Sequence, residues 1–477
     1  MHPGTDRAPS APTAATAPSA PEAASAPPAP RPGVWPNVRD TVRLALPVML
    51  ARSGTLGIIT ADVIMTGHFR AQELGFYGLG FMAHQVLYVL GQGALLGVTV
   101  LASQADGMGQ PQRSGTVWKV GLFYGALLGV LFGALSTLAE RFFLLTGQAP
   151  ELAREGGAVT AILALGLPPL LMYVATVLYL EGISRPRANV WVMLAANAFH
   201  LALNWLLIYE HDFTSIGGQG AVGAALSTSL TRGFMCVALG GAVLLMRDRL
   251  RFGVRGRLHY PLDVGRKLRR LGLPLMVAQG LESAAFLTVI LFVGWLGPQP
   301  LAIYQIVNNL FHIVFMLALG LATATSVRVG NAVGRRDRAG LAWAGWSGAA
   351  LGLAVLTALC IAFNAAPGLL ASIYTSDAAV LERAAPVIAL AGLFLIVDGG
   401  QAVMIGALRG VGDIVLPSCM VVGGFWGITV PLAYHLAVAQ GGGVEGIIWA
   451  LFAGAGTASA VLVLRFHVMA RREVRPV

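Results

Sequence analysis

The chain has 477 residues, of which 56% are hydrophobic and 11% are charged, and its mean hydropathy is +0.71. Soluble domains carry roughly 25% charged residues, so this composition excludes a water-soluble globule and indicates a polytopic membrane protein. The formal net charge of +10 is large, but the distribution of the basic residues, given below, argues against a nucleic-acid partner.

The segment 1–38 opens the chain and consists mostly of Ala, Pro, Ser and Thr. Such a segment cannot bury enough apolar surface to fold, so it is predicted to be a disordered cytoplasmic tail. It also lacks the apolar core of a signal peptide.

Twelve stretches approach the roughly 20 mostly apolar residues that a membrane-crossing helix needs. Six lie in the first half, at 42–67, 74–104, 116–138, 157–180, 189–209 and 220–246. Six lie in the second half, at 271–296, 300–326, 341–364, 385–407, 414–437 and 444–467. Spans of this length are helices, because only helices and closed barrels satisfy their backbone within lipid. The predicted units are an N-lobe (39–246), a basic cytoplasmic linker (247–270), a C-lobe (271–468) and a C-terminal cytoplasmic tail (469–477).

Lys and Arg are strongly segregated between the two sides of the predicted membrane. With the N-terminus placed inside, 25 of the 32 Lys and Arg fall on that side, while the other side has only Arg70, Arg141, Arg154 and Arg383. Cytoplasmic loops carry an excess of Lys and Arg. The sequence therefore predicts a multi-pass protein of the plasma (inner) membrane with both termini in the cytoplasm.

The second half of the chain repeats features of the first. Leu-Ala-Leu-Pro at 44–47 corresponds to Leu-Gly-Leu-Pro at 271–274, and aligned glycines follow at Gly97 and Gly320 and at Gly107 and Gly330. Each half has an even number of spans, so the halves are parallel repeats related by an axis along the membrane normal. Transporters built from repeats bind substrate between them and alternate access by rocking. Within single spans, the series Gly121, Gly125, Gly129 and Gly133, and the pair Gly348 and Gly352, predict close helix packing.

Three acidic residues lie well inside predicted spans, away from the span ends. Asp62 is in the outer part of the first span, whereas Glu282 and Asp398 fall near the midplane of the second half. Intramembrane acids usually mark ion or proton paths, so the three are candidate ion-coupling residues. Glu282 and Asp398 could share a proton or hold a metal cation such as Na⁺. An alternative for Asp62 is a structural ion pair with Arg232, which lies at mid-depth in the sixth span.

Other polar residues inside the spans are weaker candidates. Asn197, His200 and Asn204 share one face of the fifth span and are expected to supply hydrogen bonds toward Asp62. Arg52 is expected to extend toward the inner surface. Glu181 is expected to be a solvated helix end.

The chain contains no pattern typical of an enzyme. HExxH and the phosphate-binding loop GxxxxGK[ST] are absent, and the three cysteines have no metal-binding spacing. We therefore expect a protein that is not an enzyme and has no cofactor. Active transport would draw its energy from an ion gradient, since this chain has no phosphate loop for an ATP-driven pump.

Taken together, these residues resemble the multidrug and toxic compound extrusion (MATE) transporters, in particular their NorM-like bacterial branch, over about 40–468. The resemblance rests on Leu-x-Leu-Pro before span one, Asp62-Val-Ile-Met-Thr-Gly67, Glu181-Gly182, Leu203-Asn-Trp-Leu-Leu-Ile-Tyr209, Gly272-Leu-Pro274 with Glu282, and Asp398 followed by Ala407-Leu-Arg-Gly410. It implies an all-α membrane fold of twelve helices in two six-helix lobes arranged in a V. His200 departs from the family pattern, which has Asn at that position, and Arg52 and Arg232 are not part of it.

The resemblance implies export of organic cations in exchange for H⁺ or Na⁺. Asp62 would be the coupling acid of the first lobe, with Asn204 in its network, and Glu282 and Asp398 would be the cation pair of the second. The expected partners are small organic cations and membrane lipids, and a monomer is expected. Aromatic residues that could line a substrate cavity through cation–π contacts are Phe286, Trp295, Phe311 and Phe394.

Two alternatives to an antiporter stay open. One is a flippase for lipid-linked oligosaccharides from the same superfamily, although the intramembrane acids outnumber any basic cluster. The other is a membrane sensor or scaffold that transports nothing and whose acids are structural.

Overall fold

The computed structural model describes residues 34–210, 217–255, 262–373, 378–472 and 476, and within these ranges every regular element is helical. Most of the predicted tail 1–38 lies outside the described residues, and its last five residues, 34–38, form the start of the first helix. Parts of the predicted linker (256–261) and of the C-terminal tail (473–475 and 477) also lie outside the described residues.

The first half contains nine helices among the described residues. They are α1 (Val34–Phe69), α2 (Ala71–Leu95), α3 (Gly97–Gly107), α4 (Pro111–Ser136), α5 (Ala139–Leu145), α6 (Pro150–Leu165), α7 (Leu167–Gly182), α8 (Arg187–Ile208) and α9 (Gly220–Leu244). We refer to α1–α9 as the N-lobe.

The second half, the C-lobe, contains α10 (Leu262–Trp295), α11 (Pro298–Gly334), α12 (Arg338–Ala365), α13 (Pro367–Ser372), α14 (Ala378–Val411), α15 (Val415–Gly424), α16 (Val430–Ala433) and α17 (Gly443–Arg471). Two π-helical segments, Phe425–Thr429 and Tyr434–Ala439, flank α16 and join it to α15 in one crossing. Pro431 lies between them and has no N–H to donate to the helix.

The predicted number of twelve spans is confirmed. Among the described residues, eleven helices are long and apolar enough to cross a membrane, with α2 and α3 acting as one crossing over Gln72–Gly107, and a bent pair taken as one span is the twelfth. The bend of 46° between α6 and α7 was not predicted. It falls at Gly166, just before Pro168 and Pro169, which have no N–H to donate to the carbonyls of α6.

The glycine face predicted on the third span packs against α7. A Cβ at Gly129 would lie 2.3 Å from the Cα of Pro168, and one at Gly125 would lie 2.9 Å from the backbone of Leu171. These positions have no room for a side chain, so α4 and α7 meet backbone to backbone, as small residues in membrane helices allow.

The basic loops converge at one end of the bundle, which we call the basic end. Arg185 pairs with Asp248 there, with 2.6 Å between Nη2 and Oδ2, and Lys119 donates to the carbonyl of Gly253 at 2.7 Å. Arg328 of the C-lobe donates to the hydroxyl of Thr41 in the N-lobe. Polar contacts within the N-lobe and between the two lobes therefore stabilise the basic end.

Glycines also bring the two lobes into backbone contact near the basic end. A Cβ at Gly107 would lie 2.2 Å from the carbonyl oxygen of Asn331, and one at Gly334 would lie 2.2 Å from that of Gln104. A Cβ at Gly272 would lie 2.0 Å from the carbonyl oxygen of Ala94. We call Gly107, Gly272 and Gly334 the seam glycines. At this end the lobes are closed against each other.

Candidate functional site

Asp62 lies on α1 and is almost completely buried, with 1% of its surface exposed. Tyr77 Oη and Thr228 Oγ1 donate to its Oδ2 at 2.6 and 2.7 Å. Asn204 Nδ2 donates to its Oδ1 at 2.9 Å, and His200 Nε2 lies 3.0 Å from the same oxygen. Four polar groups from three other helices thus surround one carboxyl group.

Helix geometry places these partners. His200 and Asn204 are four residues apart on α8, so they lie one turn apart on the face that packs against α1 and α9. Thr228 comes from a hydroxyl-rich stretch of α9 that also contains Ser227 and Thr231. Tyr77 comes from α2.

Sequence reasoning identified Asn204 and His200 as partners of Asp62 but missed Tyr77 and Thr228. The hydroxyl cluster Ser-Thr-Ser-x-Thr at 227–231 in an apolar span was a usable signal for the α9 side. For Tyr77 the sequence holds no such signal, because only the packing of α2 against α1 brings it near.

Two other residues of the expected network do not contact Asp62. Asn197 Nδ2 donates to the carbonyls of Gly54 and Met193 at 3.0 and 2.9 Å, so it ties α8 to α1 below the site. Arg232 is buried, and its Nη1 lies 3.4 Å from the carbonyl oxygen of Leu163. The direct Asp62–Arg232 ion pair is not formed, although the charge of Arg232 acts on Asp62 through space.

Glu282 and Asp398 lie on α10 and α14 of the C-lobe, both half-buried. The two carboxyl groups are near enough for the charge of Asp398 to act on Glu282, and Arg409 of α14 acts on Glu282 as well. This group consists of two acids, without a third His, Cys, Asp or Glu from the described part of the chain. No cluster of three such residues occurs among the described residues. A cation held here would depend on these carboxylates together with carbonyl oxygens or water.

The expectation that Glu181 is a solvated helix end is wrong. Its side chain is only 3% exposed, and its Oε1 lies 3.8 Å from Nη2 of Arg52. The reason is packing, because a Cβ on the adjacent Gly182 would lie 2.8 Å from Ala102 of α3, which covers the end of α7. Arg52 therefore turns to Glu181 and does not simply extend into solvent.

The four candidate aromatic residues occupy different places. Phe311 and Phe394 are buried together in the C-lobe core with ring centroids 4.8 Å apart, and Phe286 packs on Phe425 at 5.1 Å. Trp295 is 64% exposed at the end of α10. None of the four lines the cleft described next.

A cleft of about 520 Å³ separates the lobes on the side away from the seam glycines. Its N-lobe wall comes from the outer part of α1 and from Leu201, and its C-lobe wall from α11; the lining residues are Leu56, Gly57, Thr60, Ala61, Ile64, Met65, Leu201, Asn309, His312 and Ile313. The wall is mostly apolar, with polar groups at Thr60, Asn309 and His312. Ala61 in this wall immediately precedes Asp62, so the cleft and the buried carboxyl group belong to the same turn of α1.

Comparison with known proteins agrees with this architecture. The MatE family model matches the chain twice, at residues 47–206 and 274–435, which are corresponding parts of the two halves. A relative described as "Probable multidrug resistance protein NorM" from Caulobacter vibrioides is 32% identical over 91% of this chain and 92% of its own length. "Multidrug resistance protein NorM" from Burkholderia vietnamiensis is 30% identical over 90% of this chain and 93% of its own length.

Solved structures show the same fold. The eukaryotic MATE transporter AtDTX14 superposes with a TM-score of 0.83 at 18% identity, covering 92% of this chain and 98% of that one. A multidrug resistance MATE family transporter in an outward-facing conformation superposes with a TM-score of 0.82 at 19% identity, covering 91% of this chain and 96% of that one.

Proposed function

The chain belongs to the MATE family of transporters, and from that premise we propose that it is a secondary active antiporter that exports organic cations in exchange for H⁺ or Na⁺. The curated relatives are named for multidrug resistance, and we extend that role to this chain. The proposed partners are small organic cations and membrane lipids, the proposed state is a monomer, and the proposed location is the plasma (inner) membrane.

The surroundings of Asp62 carry the proposal. Burying an ionisable carboxyl group in an apolar bundle requires hydrogen-bonding partners, and acids retained inside membrane helices usually mark ion or proton paths. A group that gains and loses one positive charge here could couple that charge to the movement of the lobes. The Glu282 and Asp398 pair offers a second ion site, in the other lobe.

The cleft supports alternating access between the lobes. It opens on the side away from the basic end, whereas the seam glycines close the basic end. If the basic loops are cytoplasmic, following the positive-inside rule, this conformation faces outward. Both termini would then be cytoplasmic, and an organic cation would leave through the cleft lined by α1 and α11.

Transport in reconstituted vesicles tests the proposal, with a proton or a sodium gradient imposed separately and a fluorescent organic cation as cargo. We expect gradient-driven export by the wild type and its loss in Asp62→Asn or Glu282→Gln, which keep side-chain size but remove the charge. Glu445→Gln is the matched control, because Glu445 is exposed at the start of α17. Undiminished export in both site variants would contradict the proposal, and active wild-type protein would exclude a sensor or scaffold.

One observation favours the alternative of an oligosaccharide-lipid flippase. Arg52 of the N-lobe and Arg409 of the C-lobe lie near enough for their charges to act on each other, and Nε of each is buried without a hydrogen-bond partner among the described residues. Such a pair could attract a pyrophosphate. Thermal stabilisation by organic cations and not by lipid pyrophosphates is the result expected for the antiporter, and the reverse result would favour the flippase.

A further inference from the structure

His200 stands where the family pattern has Asn, and the structure places it in contact with Asp62. It is fully buried, with none of its surface exposed. Its Nε2 lies 3.0 Å from Asp62 Oδ1, and its Nδ1 lies 3.1 Å from Ser227 Oγ and 3.2 Å from Thr231 Oγ1. Both ring nitrogens therefore have polar partners, on opposite sides of the ring.

The partners of Asp62 indicate which ring nitrogen carries hydrogen. A carboxylate accepts about four hydrogen bonds through its two oxygens, and Tyr77 and Thr228 fill Oδ2. On Oδ1, Asn204 supplies one donor. Asn204 Nδ2 also lies 3.1 Å from His200 Nε2, but a bare Nε2 that accepted from it would still direct its lone pair at the carboxylate oxygen 3.0 Å away. The stable arrangement therefore has Nε2–H donating to Asp62, because a hydrogen bond to a charged carboxylate is stronger than one between neutral groups.

Nδ1 is left as the position that can change its protonation. Its two neighbours are hydroxyl groups, which can donate to a bare nitrogen or accept from a protonated one by turning about one bond. Ser227 Oγ also has the carbonyl oxygen of His200 within reach at 3.3 Å. A proton on Nδ1 would therefore keep its hydrogen bonds without moving the ring.

We propose that His200 is the proton acceptor of the N-lobe site, so that Asp62 and His200 form a carboxylate–imidazole pair selective for H⁺ over Na⁺. This inference rests on the proposed antiport function and names the ion of this one site. One proton from the outer solution binds Nδ1, the ring becomes imidazolium, and the pair changes its net charge from −1 to 0. After the lobes rearrange, the same proton leaves toward the inside and the pair returns to −1.

The charges around the pair are consistent with a single proton. From α1, Asp62 faces the ring and can balance the imidazolium. From α9, Arg232 acts on Asp62 and opposes further positive charge, and from α2, Tyr77 donates to Asp62 while His84 also lies within the field of Arg232. Histidine is the side chain whose ordinary titration falls near neutral pH.

The same geometry disfavours sodium at Asp62. Hard cations take several oxygen ligands, but here the carboxylate oxygens already face four hydrogen-bond donors. Among the partners of Asp62, Asn204 Oδ1 is the single oxygen without a hydrogen bond to the described residues. The ring N–H cannot turn away from Asp62, because the hydroxyls of Ser227 and Thr231 hold the opposite side of the ring. Sodium would have to displace the whole ring, whereas a proton needs only a hydroxyl rotation.

Nuclear magnetic resonance of ¹⁵N-histidine-labelled full-length protein in nanodiscs tests the inference without requiring transport. The His200 signals are identified by their loss in His200→Asn, and His68→Asn on the exposed end of α1 is the control. We expect Nδ1 to gain a proton as the pH is lowered across the range in which the protein stays folded, a change in that proton uptake in Asp62→Asn, and no change on adding sodium chloride at constant ionic strength. Nδ1 that stays bare over this range, or a shift caused by sodium, would overturn the inference.

Transport then separates this inference from the proposed function. In vesicles we expect His200→Asn to lose export driven by a proton gradient, while His68→Asn keeps it. Proton-driven export at the wild-type rate in His200→Asn would overturn the role of His200. Wild-type protein that transports under neither gradient would instead overturn the proposed function, and the titration of Nδ1 would still decide the protonation of His200.

Discussion

Asp62 and Glu181 are both buried carboxyl groups of the N-lobe, but their surroundings differ. Asp62 accepts from donors on three helices, whereas Glu181 faces Arg52 at 3.8 Å and its Oε2 has no hydrogen-bond partner among the described residues. The hydropathy of the sequence alone predicted that Asp62 lies inside a membrane span. The burial of Glu181 could not be predicted in this way, because it depends on α3 covering the end of α7.

The pair of Arg52 and Glu181 leads to a stability prediction. Glu181→Ala would leave a mostly buried guanidinium without its partner, so we expect the free energy of unfolding to fall by about 1–3 kcal/mol. Thermal unfolding in detergent measures the change, and Arg52→Ala in the same protein should recover part of the loss. Glu155→Ala is the control, because its pair with Arg154 is exposed and should change stability by no more than about 0.5 kcal/mol. Equal losses of stability in Glu181→Ala and Glu155→Ala would show that the Arg52–Glu181 pair does not stabilise the fold.

A second residue-scale prediction concerns pH at the basic end. Hydrogen bonds from the Arg185 guanidinium lower the pKa of Asp248 below its ordinary value. A carboxyl group whose pKa is lower when folded stabilises the protein above its unfolded pKa of about 3.9, and this contribution is lost as pH falls through the folded pKa. We therefore expect Asp248→Asn to lower the melting temperature near neutral pH and to differ less from the wild type as pH falls through and below about 3.9. A gap that widens with falling pH would contradict this assignment.

At the scale of helices, the sequence predicted much of what the structure contains. Length and hydropathy predicted all twelve crossings, because an apolar stretch of that length has few other structures in lipid. Hydropathy could not predict the break between α6 and α7 or the π-helical segments, since it does not report which carbonyls lose their donors at Pro168, Pro169 and Pro431. The glycine face on α4 was predicted, but its partner, α7, was not.

The packing of α4 on α7 can be tested at one glycine. Gly129→Ala would place a Cβ about 2.3 Å from the backbone of Pro168, so we expect overpacking to lower the free energy of unfolding by about 1–3 kcal/mol. Gly240→Ala in α9 is the matched control, because no atom beyond the adjacent backbone of its own helix lies within 4 Å of its Cβ position. The control should keep or gain stability, up to about 1 kcal/mol, from its better helix propensity. Similar melting temperatures for the two variants would rule out close packing at Gly129.

At the scale of the whole molecule, the sequence repeat corresponds to the way in which the two lobes contact each other. Gly97 and Gly320 occupy equivalent places in the two halves, and each faces the first long helix of the other lobe. A Cβ at Gly97 would lie 3.1 Å from Leu268 and Leu271 of α10, and one at Gly320 would lie 2.4 Å from Met49 of α1. The repeat predicted this symmetry, but it could not predict which end of the molecule is closed, because the same sequence must support both open and closed ends during transport.

Substituting a seam glycine should therefore shift the equilibrium between the states in which the basic end is closed and open. Gly107→Val would place side-chain atoms against the backbone of Asn331 and favour the state in which the basic end is open. We expect a cysteine at Ser103, which is fully buried beside Gly330, to be protected from a membrane-impermeant maleimide in otherwise unmodified protein. It should become reactive in Gly107→Val.

The labelling needs a background in which Cys236, Cys360 and Cys419 are replaced by Ser, and inside-out vesicles so that the basic end meets the reagent. Gly233→Val is the matched control, since no atom beyond the adjacent backbone of its own helix lies within 4 Å of a Cβ at that position. It should leave Ser103→Cys protected. Opening of the basic end should also draw the walls of the cleft between α1 and α11 together, because rigid lobes that rock about the interface cannot open both ends at once. If Ser103→Cys reacts equally with the maleimide in Gly107→Val and Gly233→Val, and both proteins are monodisperse, close packing at the seam glycines does not keep the basic end closed.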